Sequence, residues 1–150
     1  MDSETALMSH EPRFAAEQLH KYPHMFPRDI EIWHKFLGIY ASEYTGFDYD
    51  LKVGSGRDYS AEPDKMLRRG AFINSKKRID AVGYQPDQIT VFEVKPDATA
   101  SAIGQAIAYC RLYEKEYAPS QKCVPAIATN GEVPDTRRLA KDLGVLYFIV

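Results

Sequence analysis

The stretch RIDAVGYQPDQITVFEVK, residues 78–95, decides the fold. Two apolar-rich runs, RIDAVGYQ and QITVFEVK, meet at Pro86-Asp87. Proline presets the backbone of a turn's first central residue, and aspartate bonds the local backbone at the next. A hairpin is expected here. If Gln85 pairs with Gln88, counting outward sets Asp80 opposite Glu93 and Arg78 opposite Lys95, and the two carboxylates have Cβ atoms roughly 5 Å apart. Alternation along the second strand sends Glu93 and Lys95 to one face and Phe92 and Val94 to the other. Like charges placed opposite each other destabilise a sheet. Relief can come from a proton held by one acid, from solvation and loose pairing with Arg78 and Lys95, or from a hard divalent cation between the acids. The hairpin by itself leaves all three open.

Outward from the hairpin, periodicity places the remaining elements. Residues 28–44 put Ile30, Trp33, Leu37 and Tyr40 on one helical stripe, with Asp29 as the cap. FDYDLKVG alternates as a strand, and residues 57–77 read as a loop or short helix of basic character. After the hairpin, residues 101–117 form a long helix that Ser101 is able to cap. CVPAIATN is a short strand, and VPDTRRLAKDLG is a helix stopped by Gly144. VLYFIV closes the chain as a buried strand. The expected order is α-β-β-β-α-β-α-β: an α/β chain with a central mixed sheet flanked by helices. Residues 28–150 read as one domain. Residues 1–27 read as an arm in which Phe14 to Lys21 form up to two helical turns between prolines.

A chain of 150 residues, 45% hydrophobic, is enough for one buried core. A net charge of -2 gives no global pull toward nucleic acid or membrane, so such affinity must come from a local patch. No apolar run reaches membrane-span length, and MDSETALMSH has no signal-peptide core. Cys110 and Cys123 lack CxxC spacing and read as buried free thiols. The expectation is a soluble, cytoplasmic protein. A phosphate loop and zinc-finger spacing are both missing, which excludes an ATP-driven motor and a zinc module.

Asp80 followed by Glu93-Val94-Lys95 on the next strand resembles the D…(D/E)xK core of the PD-(D/E)xK nuclease superfamily. Gln105-Ala106-Ile107-Ala108-Tyr109 on the following helix resembles the QxxxY element of RecB-type nuclease domains. The likeness covers mainly residues 78–113 and extends loosely over 28–150 through the element order. It implies a restriction-endonuclease-like core and a Mg²⁺- or Mn²⁺-dependent deoxyribonuclease. Small single-domain members such as archaeal-type Holliday junction resolvases act as dimers on branched DNA in repair and recombination. Phages and mobile elements also carry such nucleases. By the same resemblance, Asp80, Glu93 and the Val94 carbonyl hold metal, and Lys95 orients water or neutralises developing charge. Gln105 and Tyr109, four apart and so on one helix face, contact DNA or support the site. Many members add an acid from the first helix. Glu31 is the candidate, Glu43 the fallback, and Asp50 a weaker one.

Lys65, Arg68, Arg69, Lys76, Lys77 and Arg78 run into the Asp80 strand with no acid among them. Beside a metal site they form a phosphate track whose affinity falls with salt. Tyr59, Phe72 and Tyr84 read first as packing residues and second as base-stacking ones. His20 and His24 read as surface histidines. Two alternative uses of the fold stand beside the nuclease: a module that binds DNA without cutting it, and an assembly protein whose VLYFIV strand joins two copies into a homodimer.

Overall fold

A computed structural model describes residues 12–150. The signal-peptide expectation for residues 1–10, and the start of the N-terminal arm, lie outside the described residues. Six strands form one sheet in chain order: β1 (Phe14–Ala15), β2 (Gly46–Val53), β3 (Lys77–Tyr84), β4 (Gln88–Val94), β5 (Lys122–Thr129) and β6 (Leu146–Ile149). β1 to β4 pair antiparallel, and β4–β5 and β5–β6 pair parallel. The helices are α1 (Pro27–Tyr40), α2 (Lys65–Asn74), α3 (Ala100–Tyr117) and α4 (Thr136–Asp142), with a 3-10 turn at Ala41–Glu43. Parallel neighbours need a crossover, and α3 and α4 supply the two required. The protein is therefore α/β with a mixed sheet, and its element order exceeds the expected one by β1 and α2.

The hairpin has the counted register. Gln85 N–H donates to Gln88 O at 2.9 Å, and the ladder runs from Tyr84↔Ile89 to Ala81↔Phe92. α1 packs on one face of the sheet, where Trp33, Phe36, Phe47, Phe92 and Val94 share a cluster with Ala126 and Ala128. Trp33 stacks on Phe36 at 4.8 Å and meets Phe92 edge-on at 5.1 Å. α3 covers the other face through Cys110 and Tyr113 against Val82, Tyr84, Ile89 and Val91. α3 and α4 meet over Ile127 through Ala102, Ile103, Ala106 and Ala140.

The β2–β3 ribbon changes face midway. Phe47, Tyr49 and Ala81 belong to the α1 cluster, whereas Leu51, Val53 and Ile79, of the same parity, pack with the α3 cluster. The switch falls at Asp50, whose φ is +52°, and at Asp80 on the partner strand. Aspartate tolerates this left-handed backbone better than most residues. The ribbon thus turns over at the level of one of the two acids.

Several expectations are corrected. Phe14 to Lys21 is not helical: Phe14 and Ala15 pair with Phe47 and Gly46. The approach needs a glycine, since a Cβ at Gly46 would lie 2.5 Å from Phe14 O. Tyr22 and Met25 are buried in the α1 cluster, so the segment before α1 is part of the core. α1 begins at Pro27, and Asp29 sits inside its first turn, where its Oδ2 accepts the Phe26 N–H at 3.0 Å. The buried face of α1 is Ile32, Trp33, Phe36 and Leu37, while Ile30 and Tyr40 are half-buried at its rim. Residues 65–74 are a helix, capped by Asp64 accepting from Leu67 N at 2.9 Å. Ser101 lies within α3, whose N-cap is Thr99. β6 is an edge strand, with Leu146 and Ile149 each 38% exposed. Gly144, with φ +73°, does stop α4. Among the described residues, no helix is long and apolar enough to cross a membrane.

Candidate functional site

Asp80 and Glu93 sit where β3 and β4 run out of shared ladder. Continuing the register one step beyond Ala81↔Phe92 puts them opposite each other. Instead of a backbone partner, the Val94 N–H donates to Asp80 Oδ2 at 2.8 Å. Glu93 is 9% exposed. Burial pushes the Asp80 carboxyl above the usual carboxylate range; the Val94 N–H and the Lys95 charge oppose the shift, and Asp29 and Asp50 add to it. Burial also pushes Glu93 up, followed by the Asp80 charge, with Lys95 opposing and Asp29 adding. The Asp80 charge disfavours ionisation of Glu93, and one lysine charge reaches both acids.

Lys95 leaves β4 at the surface, its backbone N–H donating to Ala128 O at 3.0 Å. That bond fixes the main chain and leaves the long side chain to move. On α3, burial raises the Tyr109 phenol, as do the Glu93 and Asp80 charges. Tyr109 is therefore close enough to feel both acid charges. Gln105 is exposed one turn earlier on the same helix.

The first-helix acid is not the expected one. Glu31 points away, paired with Lys35 at 3.6 Å on a face where its own side chain is 70% exposed. Glu43 is at the hairpin-turn end of the sheet, where its carbonyl accepts from Gln85 Nε2 at 3.0 Å. Asp29 is the first-helix acid whose charge bears on both Asp80 and Glu93. Arg28, its neighbour, meets Asp97 of the β4–α3 loop at 3.9 Å and so sets the first turn of α1 beside that loop. The sequence carried a signal for this: proline at the first helical position fixes the helix start and puts Asp29 in the opening turn.

Asp50, the weakest of the acids expected, does bear on Asp80. It pairs with His24 at 3.2 Å and with Arg78 at 3.7 Å, and its buried Oδ1 accepts no hydrogen bond among the described residues. Arg78 also contacts the His24 ring. His24, expected as a plain surface residue, is 57% exposed and yet tied into the acids' surroundings. Arg78 is accordingly engaged, whereas Lys65, Arg69 and Lys77 are exposed and Lys76 lies 5.7 Å over the Phe72 ring. Arg68 reaches the Glu62 carbonyl at 3.4 Å.

Tyr84 takes no part in the site. Its hydroxyl donates to buried Asp48 at 2.8 Å and meets the Tyr113 hydroxyl at 3.4 Å, in the turn-end half of the sheet. Arg13 closes that network through its N–H and Nε on Asp48 Oδ1. Cys110 and Cys123 are unbridged, and burial pushes both thiols up, away from reactive thiolate chemistry.

Comparison of the chain with protein-family models, with curated proteins and with solved structures finds no match.

Proposed function

We propose that this protein is a metal-dependent deoxyribonuclease that hydrolyses phosphodiester bonds at Asp80, Glu93 and Lys95. The observation that carries the reading is the shared environment of the two acids: both carboxyls are pushed up by burial, and both feel the same lysine. Holding two anions together in a partly dry place costs stability unless a proton or a cation offsets it. The donor set fits Mg²⁺ or Mn²⁺, which prefer hard oxygens. Asp80 and Glu93 would hold the ion, with Val94 as a backbone oxygen donor. Among the described residues, no three His, Cys, Asp or Glu side chains form a ready metal cage. A Mg²⁺ site of this kind usually has one or two carboxylates and completes its shell with water and substrate phosphate.

Once bound, the ion would supply charge stabilisation and a more acidic water. The chain's own residues would do the rest. Lys95 approaches the scissile phosphate from the surface and offsets charge on its oxygens. Asp29 and Asp50 keep the electrostatic field around the pair negative, which favours a cation. Tyr109 and Gln105 offer hydroxyl and amide contacts from α3. Further support comes from the three-strand antiparallel run followed by a helical crossover to a parallel strand, the arrangement expected of a restriction-endonuclease-like core. The exposed cations of α2 continue from the site as a phosphate track.

The test incubates the protein with linear, nicked, flapped and four-way DNA in Mg²⁺, Mn²⁺ or EDTA, beside Asp80→Asn and Lys95→Ala. Product that needs the metal and disappears in both variants is expected. Product that survives either substitution or EDTA overturns the reading. A second reading, DNA binding without cleavage, rests on the exposed cations Lys65, Arg69 and Lys77. It predicts salt-sensitive binding in wild type and Lys95→Ala alike, with no metal-dependent product.

A further inference from the structure

α2 is an unusual helix for a packed domain, since none of its residues is buried. Met66 is 84% and Leu67 63% exposed, and Phe72 and Ile73 are partly uncovered. The helix is held at one point: Gly56 passes so close that a Cβ there would lie 1.9 Å from Phe72 O, and Ser75 Oγ accepts the Arg57 N–H at 2.7 Å. Between that anchor and the helix lies a cavity of about 580 Å³, lined by Tyr59, Phe72, Lys65, Arg68, Arg69 and Asp58 among others. The volume is in the range of small-molecule sites. The lining is of two kinds, aromatic rings and cations. The one acid, Asp58, is already engaged by the Ser60 N–H at 2.8 Å.

We propose that this cavity is a subsite for one unpaired nucleotide of single-stranded DNA, with the base against Tyr59 and Phe72 and the phosphates on Lys65, Arg68 and Arg69. The nucleotide class follows from the mixture. A bare phosphate needs no rings, and a duplex offers no open base face to stack. An unpaired nucleotide presents a flat apolar face and an anion together, the pairing that single-strand binders meet with aromatic side chains in a basic groove. The position suits the proposed cutting centre, and only this placement rests on the nuclease reading. Lys77 lies three residues past the end of α2, and three steps of strand, about 10 Å, take the chain from it to Asp80. A strand end or flap gripped at α2 would then present a nearby phosphate to the acids, so the enzyme would prefer junctions between single and double strands.

The experiment measures binding of the full chain in EDTA to a tailed duplex and to a blunt duplex, by fluorescence anisotropy, with melting temperature as the folding control. Phe72→Leu and Tyr59→Leu are expected to weaken tailed-duplex binding about tenfold, the scale of one lost stacked base, and to leave blunt-duplex binding within about twofold. Phe72→Tyr is expected to bind as wild type. A measurement needing no variant places 2-aminopurine in the tail, where stacking on wild-type protein should quench it. Equal losses on both duplexes, unchanged binding in the leucine variants, an unquenched probe, or competition by polyphosphate as strong as by single-stranded oligonucleotide would each overturn the subsite. Wild-type cutting of linear, nicked, flapped and four-way DNA in Mn²⁺ is read separately, and its absence from all four would sink the nuclease proposal and leave the subsite standing.

Discussion

Glu93 and Asp80 carry ionisation constants above those of an unfolded chain, and the sign of the consequence can be worked out. A carboxyl raised on folding contributes stability below its unfolded value, near pH 4, and that contribution is lost as pH rises through the folded values. The pair titrates as a unit between about pH 6 and about pH 8. Metal-free protein is therefore expected to lose melting temperature from pH 6 to pH 8. Glu93→Gln should flatten that slope and stabilise the metal-free protein at pH 8 by about 1–3 kcal/mol, the scale of a buried charge no longer left unpaired. Mn²⁺ should raise the wild-type melting temperature more at pH 8 than at pH 6, and should do little to Glu93→Gln. Calorimetry at the two pH values checks all three outcomes. Lys95→Ala should fold as wild type, because the side chain is exposed, and should lose detectable cleavage, as expected when a charge-stabilising group is removed. Asp29→Asn should raise the Mn²⁺ concentration needed for half-maximal activity, whereas Glu31→Gln should leave it unchanged; a metal titration of both variants separates the two acids.

At the scale of elements, α2 hangs on the Gly56 contact, so Gly56→Ala should dislodge the helix. Circular dichroism is expected to show a small helical loss with the main melting transition kept, and DNA affinity should fall together with its salt dependence. What could be read from sequence divides along physical lines. The hairpin was legible because a proline turn and strict alternation fix register locally. So were α3 and α4, each with a long period or a glycine stop. α2 was ambiguous because its apolar residues face water, which leaves no core stripe to read. β6 was misread because VLYFIV has the composition of an interior strand, and nothing local tells an edge from a centre. β1 was missed because two residues carry no period, and their pairing depends on Gly46, more than thirty positions away. For the site, the facing of Asp80 and Glu93 was accessible by register, whereas the place of Tyr109 came only through the resemblance. Asp29 carried only the signal of its proline-fixed helix start, and Asp50 entered only as a weaker candidate, since their nearness depends on how α1 lies across the sheet and on the left-handed turn at Asp50.

Across the whole molecule, the two ends of the sheet are made differently. One end holds Asp80 and Glu93, both pushed up by burial; the other holds Asp48 satisfied by Arg13 and Tyr84. Arg13, Tyr22 and Met25 precede α1, so the N-terminal segment is a stabilising part of the fold. A chain beginning at residue 28 should lose the buried Tyr22 and Met25 contacts and melt several degrees lower or fail to fold, since burying such side chains contributes about 1.5–3 kcal/mol each. A melting comparison of the two lengths checks this. Trp33 is the chain's one tryptophan and is fully buried, with its indole Nε1–H donating to Tyr49 at 3.1 Å and its ring edge-on to Phe92. Phe92 is the residue next to Glu93. The protein thus contains its own spectroscopic reporter: a blue-emitting indole one ring away from the strand that the ion would grip, able to record cation arrival as a change in intensity without any attached dye.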